Sequence, residues 1–197
     1  MQSLGVTLLV ATLINICNSA AHHDDVNIVS RSEWQAKQPK NVPIKLESNP
    51  PNLIVISHTD LAHGGSYCVT KKSCSRMVRK LQTIHQDYQG YDDIAYNFLI
   101  GGDGTIYEGR GWDVQGTHTK NFNSKSLGIA LIGDFESRPP YAEQVNGLKM
   151  FLKYAVEENK LDKGYKLIGQ SEVENTNSPG LRVSEIIKKW EHWSVEP

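Results

Sequence analysis

Apolar and polar positions fall into three patterns along this 197-residue chain. The first is a long run, Leu4 to Cys17, without a charged side chain. It ends in Asn18-Ser19-Ala20-Ala21, and charges begin at Asp24. A run of that length with a small-residue exit reads as a secretory signal peptide removed near Ser19 to Ala21. It falls short of the roughly 20 residues a membrane-spanning helix needs. The second pattern is a set of short, β-branched runs: Leu53 to Ser57, Ile94 to Ile100, Thr105 to Glu108, Leu127 to Ile132 and Lys166 to Ile168. These predict buried strands. Gly101-Gly102-Asp103-Gly104 joins the second and third of them as a hairpin, because glycine supplies the positive φ such a turn needs. The third pattern is helical spacing. Met77, Leu81, Ile84 and Tyr88 predict a helix over Ser73 to Gln89, capped by Ser73 or Ser75. Val145, Leu148, Leu152 and Ala155 predict a second helix after Pro139-Pro140. Val183, Ile186, Ile187 and Trp190 predict a third. Gln38 to Asn52, with Pro39, Pro43, Pro50 and Pro51, reads as an extended arm.

Strands and helices therefore alternate, and the expected class is α/β: one domain, a central sheet and about three flanking helices. The division is residues 1–21 as leader, 22–52 as N-terminal arm and 53–197 as the body of the domain. Formal net charge is −1, so no global basic field draws the chain to nucleic acid or to an anionic membrane. With Cys17 inside the leader, Cys68 and Cys74 remain as an even pair. In an oxidising compartment such a pair predicts a disulfide just ahead of the first helix.

Function enters with the loop that follows the hairpin. Arg110, Trp112 and His118 place a charge, a large aromatic and a titratable ring on one glycine-flanked segment, which suggests a ligand surface. Specific motifs surround it: S-R-S-E-W at Ser30 to Trp34, V-I-S-H-T at Val55 to Thr59, and Y-N-F-L-I-G-G-D-G-T-I-Y-E-G-R-G-W from Tyr96. S-L-G-I-A-L-I-G-D-F follows at Ser126 to Phe135, then S-P-G at Ser178 to Gly180 and a closing W-E-H-W. In order and spacing the chain resembles the insect short-type peptidoglycan recognition proteins. That family shares its fold with bacteriophage and bacterial zinc amidases that cut the muramoyl–L-alanine bond. The resemblance implies a mixed, bacteriophage-amidase-like sheet and the Cys68–Cys74 bridge.

It also implies where a metal would sit. Catalytic members hold zinc with two histidines and a cysteine; the matching positions here are Ser57, Gln170 and Ser178. Neutral hydroxyls and an amide are poor zinc ligands beside imidazole and thiolate. Tyr96 matches the tyrosine that assists the attacking water, and Thr176 a position often held by Thr or Lys. Tyr96 is retained either for the groove or as a strand tyrosine. The expectation is a protein without a cofactor or metal site, and not an amidase.

A recognition groove outlives the metal. The resemblance places His58, Thr59, Tyr96 and His118 in it. Arg110 and Trp112 join them, with bracing of the loop and core packing as their alternative roles. Asn121-Phe122, after His118, matches a dipeptide associated with lysine-type rather than diaminopimelate-type stem peptides. Diaminopimelate differs by one extra carboxylate, which needs a cationic partner when buried. The implied function is a secreted, haemolymph pattern-recognition receptor that binds peptidoglycan without cleaving it. Such members act upstream of Toll or prophenoloxidase activation, with a glucan- or Gram-negative-binding-type co-receptor and serine proteases as partners. The alternative is an enzyme: a zinc amidase with unusual ligands, or a serine peptidase using Ser178.

Overall fold

The computed structural model describes residues 26–60 and 67–195. The predicted leader, with its cleavage site, lies outside the described residues. Six strands form one sheet in the order β1-β4-β3-β5-β2-β6. They are β1 (Ile28–Val29), β2 (Leu53–His58), β3 (Phe98–Ile100), β4 (Ile106–Glu108), β5 (Leu127–Leu131) and β6 (Lys166–Gly169). β3, β5, β2 and β6 run parallel; the tight β3–β4 hairpin makes that pair antiparallel, and β1 lies parallel to β4. Three helices pack on this sheet: α1 (Lys71–Thr83), α2 (Ala142–Glu157) and α3 (Leu181–Ile187). The mixed, single-domain α/β architecture is the one expected. Among the described residues no helix is long and apolar enough to cross a membrane.

The two faces of the sheet are covered differently. From β2 the chain crosses through α1 to β3; from β5 it crosses through α2 to β6. Right-handed crossovers that run in opposite directions place their helices on opposite faces. Side chains alternate accordingly. Ile54, Ile56, Phe98, Ile129 and Leu131 pack with Leu148, Phe151 and Leu152 of α2 and with Val183 and Ile187 of α3. Leu99, Tyr107 and Ala130, on the other face, pack with Cys74, Val78 and Leu81 of α1. Over β2 and β6 that second face carries no helix. Leu53, Val55 and Ile168 are closed off there by Phe122 and Val173 instead.

α1 starts two residues earlier than its spacing predicts. Thr70 is the N-cap, and its hydroxyl accepts from the Ser73 N–H while the Ser73 side chain returns the bond. Ser73 is thus the third helical residue of a capping box rather than the cap. At its end α1 widens into a π-helical turn, Ile84–Tyr88. One extra residue in that turn rotates the inward stripe. Cys74, Val78, Leu81 and His85 face in, whereas Tyr88 is 83% exposed. Cys68 and Cys74 form the expected disulfide. Of the predicted strand Ile94 to Ile100, only Phe98–Ile100 pairs as strand.

Candidate functional site

A cleft of about 410 Å³ opens where the sheet's second face loses its helical cover. Thr59 and Asp60 reach it from the carboxyl end of β2, and Gln170 from the end of β6. α1 contributes Lys80 and Leu81, and its π turn Ile84 and His85. Tyr91, Tyr96, Thr117 and His118 complete the walls. The chain leaves the neighbouring ends of β2 and β5 toward opposite faces, and open α/β sheets bind ligands at such switch points.

His118 lies flat on the sheet over Gly128. A Cβ at position 128 would stand 2.3 Å from the His118 Cδ2, so only glycine leaves room for the ring. His118 Nδ1 and the Thr119 hydroxyl are 3.0 Å apart. Nε2 is buried and has no hydrogen-bond partner among the described residues. Burial lowers the pKa of this imidazole to about 3; the nearby Ser126 carbonyl offsets part of that penalty without bonding Nε2, and Arg110 adds to it. At neutral pH the ring is uncharged.

His85 escapes a reading of the sequence but is central here. The π turn swings it inward, where its Nδ1 accepts from the Ala95 N–H at 2.9 Å. That bond puts the proton of the neutral ring on Nε2. Burial, reinforced by Arg110 and opposed by Asp93, lowers its pKa to about 4. Its ring meets Tyr96 edge-on at 5.9 Å and Tyr91 at 5.6 Å. Tyr96 directs its hydroxyl to the His58 carbonyl at 3.4 Å. Desolvation, with smaller contributions from Tyr91, Glu174 and Asp60, holds that phenol protonated well above its ordinary range. A period-3.6 pattern has no means of signalling a π turn, so nothing in the sequence points to His85.

The three positions that the resemblance aligns with metal ligands lie on adjacent elements. Ser57 is on β2, Gln170 directly follows Gly169, which pairs with Ile56, and Ser178 Oγ accepts from the His58 N–H at 3.0 Å. Their chemistry does not suit zinc. Ser57 Oγ is buried and unpartnered among the described residues. Gln170 Nε2 already donates to the His118 carbonyl (2.8 Å) and to Glu174 (2.7 Å). No group of three His, Cys, Asp or Glu side chains suited to a metal occurs among the described residues. Ser178 Oγ meets a backbone N–H rather than an imidazole, so the base that would activate it as a nucleophile is missing from its hydrogen bonds.

Four residues expected in the groove stand elsewhere. His58 falls on the opposite face of β2 from Ser57, where its Nδ1 accepts from the Phe135 N–H and its ring packs 6.3 Å from Phe135. Burial lowers its pKa, against the pull of Asp60, Asp134 and Glu136. Trp112 is core: it stacks on Phe151 at 5.0 Å and lies 4.3 Å from Phe98, on the α2 side. Asn121 is exposed at a turn with φ of 66°, and Phe122 packs over Leu53, Val55 and Ile168 beneath Lys125. Neither lines the cleft. The fifth, Arg110, is a brace. It donates to the Ile94 carbonyl (2.6 Å), the Gln115 carbonyl (3.0 Å) and the Thr117 hydroxyl (2.8 Å). It borders a neighbouring cavity that meets the cleft only through Thr117. Buried Asn97 completes the bracing: its amide donates to Gly111 and Val114 and accepts from the Gly128 N–H. The loop carrying His118 is thereby fixed to β5.

Known proteins share this fold. A family model described as N-acetylmuramoyl-L-alanine amidase matches residues 47–181. Peptidoglycan-recognition protein 2 of Holotrichia diomphalia is 39% identical over 170 residues, covering 86% of this chain and 88% of that one. Among solved structures, the ectodomain complex of peptidoglycan recognition proteins LCa and LCx bound to tracheal cytotoxin matches with a TM-score of 0.82 at 41% identity, over 86% of this chain and 99% of that one. Peptidoglycan recognition protein LE, in complex with the same monomeric diaminopimelic acid-type peptidoglycan, matches at 0.81 and 37% identity, over 86% and 96%.

Proposed function

Because the chain belongs to the N-acetylmuramoyl-L-alanine amidase family, on its peptidoglycan-recognition branch, we propose that it binds bacterial muropeptides without cleaving them. The observation that carries this reading is the donor set at the end of β2 and β6. Ser57, Gln170 and Ser178 offer two hydroxyls and an amide, and Gln170 is held by two hydrogen bonds of its own. Catalytic zinc needs three firm protein ligands and an open position, and these residues do not supply them. The cleft keeps its aromatic and neutral-imidazole lining, which suits the amides and sugar of a muropeptide. Incubation of purified protein with muropeptides, with and without added zinc, tests the reading. Saturable binding without products is expected; release of the L-alanine-terminated peptide overturns it.

A preference for lysine-type stems rests on Asn121 and Phe122, and their placement away from the cleft removes that support. We propose diaminopimelate-type stems instead: Lys80 lines the cleft and offers an extra carboxylate a cationic partner. Two structural neighbours were solved with tracheal cytotoxin. Calorimetric titration with both fragment types decides: tighter binding of lysine-type fragments overturns this choice. Secretion, and a place upstream of Toll or prophenoloxidase proteases, complete the proposal. N-terminal sequencing of protein recovered from the medium of expressing insect cells tests secretion, with an intact leader as the contrary result.

A further inference from the structure

On the face turned away from the cleft, a second cavity of about 570 Å³ lies between α2, the loop before β6 and the segment after α3. Its floor is apolar: Leu152, Val156, Tyr165 and Trp190. Its rim is cationic. Lys149 and Lys153 stand one turn apart on α2, Lys163 comes from the α2–β6 loop, and Lys189 follows α3. All four are exposed. Only two carboxylates, Glu157 and Glu191, stand among them, and Glu157 pairs with Lys153 at 3.9 Å. The side chains of Lys163 and Lys189 make no ion pair or hydrogen bond among the described residues. This concentration of positive charge contrasts with a chain whose formal net charge is −1.

The floor is fixed in advance. Tyr165 stacks on His192 at 3.9 Å with rings 15° apart, and His192 Nδ1 lies 2.8 Å from the Tyr165 carbonyl. The Lys149 ammonium sits 5.2 Å from the centre of the Trp190 ring. A half-exposed tryptophan on an apolar floor, with four lysines against two glutamates around it, is the anatomy of a protein-binding hot spot. Lysines act as compact point charges and suit separate acidic side chains more than the planar, bidentate geometry that arginine serves.

We propose that this cavity docks an acidic segment of a partner protein, with one large apolar side chain of that segment seated on Trp190 and Tyr165 and its carboxylates meeting Lys149, Lys163 and Lys189. The sheet separates it from the cleft, so both sites can be filled at once. The test is fluorescence anisotropy with a labelled glutamate-rich peptide carrying one central leucine. Saturable binding is expected, weakening as salt shortens the screening length. Lys163→Glu with Lys189→Glu should weaken it on the order of tenfold, since rim charges steer and hold an opposite charge. Those side chains are exposed, so the double variant keeps the fold. Saturating muropeptide should leave peptide affinity unchanged. Absence of saturable binding, or equal affinity in the double variant, overturns the proposal. So does tight binding to phosphatidylserine vesicles with none to the peptide, which would make the surface a membrane contact.

Discussion

Ile56 and Ser57 are neighbours on β2 and both fully buried, yet they belong to different chemistries. Ile56 enters an apolar cluster roofed by α2 and α3, in which Phe98, Phe151 and Trp112 stack on one another. Ser57 faces the side where helical cover runs out, its hydroxyl without a partner among the described residues and close to the His118 face of β5. One face of the sheet stores stability in close packing. The other carries the Ser57 hydroxyl and, in the cleft wall, His118 Nε2, neither with a hydrogen-bond partner among the described residues; Gln144 Oε1 and Trp193 Nε1 share that state on the packed side. Such atoms oppose folding.

The sharpest way to break this contrast is on the packed face. Phe151→Ala should remove about 3–5 kcal/mol of stability, the range for an aromatic truncated in a core, read as a large drop in Tm with ligand affinity unchanged wherever the protein stays folded. Next in size is pH. The folded-state pKa values of His85 and His118 are lowered from 6.5 to about 4 and about 3. The unfolded chain therefore binds more protons below pH 6.5, and stability is full above that value and falls as pH drops toward 4 and then 3. For each ring, every tenfold loss of proton affinity on folding corresponds to about 1.4 kcal/mol. Thermal unfolding should be flat from pH 8 to 7 and decline below 6.5, and His85→Gln should flatten the decline. A stability that holds constant from pH 7 to 4 contradicts the buried, neutral state assigned to both rings.

Smaller effects sharpen the contrast on the cleft side. Gly128→Ala puts a methyl into the His118 ring and should cost about 1–3 kcal/mol, while muropeptide affinity falls about tenfold or more because the ring must leave its seat. Unchanged affinity would mean that His118 plays no part in binding. Smallest is Ser57→Ala. Removing a buried hydroxyl with no partner should leave stability equal or raise it by up to about 1 kcal/mol. A clear loss in Tm would show that hydroxyl to be bonded.

The packed face was largely legible in the sequence. Strands β2, β5 and β6 follow from continuous apolar runs, because they are buried on both faces, and the stripe Leu148, Leu152 and Ala155 follows from helical spacing. The cleft was legible only by residue type. Tyr96 and His118, singled out by type, line it; His85 lines it too, unsignalled, since its inward turn depends on a π turn that a helical period cannot anticipate. Trp112 and Arg110 show the converse. A loop with a tryptophan and an arginine suggests a binding surface, but here the tryptophan completes the α2-side core and the arginine holds three backbone and hydroxyl oxygens. Asn121-Phe122 lies off the cleft for a similar reason: a sequence motif carries no information about which face of a loop its ring will cover.

Gln170 has a consequence for how this site changes over generations. Its amide ties the loop of His118 to Glu174, and Glu174 in turn accepts from the Lys120 N–H. A step from glutamine to histidine at that position surrenders both of the amide's bonds at once. It yields nothing until Ser57 and Ser178 have also been replaced, since one imidazole among two hydroxyls holds a metal weakly. On the proposed reading, three coupled substitutions separate this donor set from one that would hold zinc, and the first of them alone gains no metal.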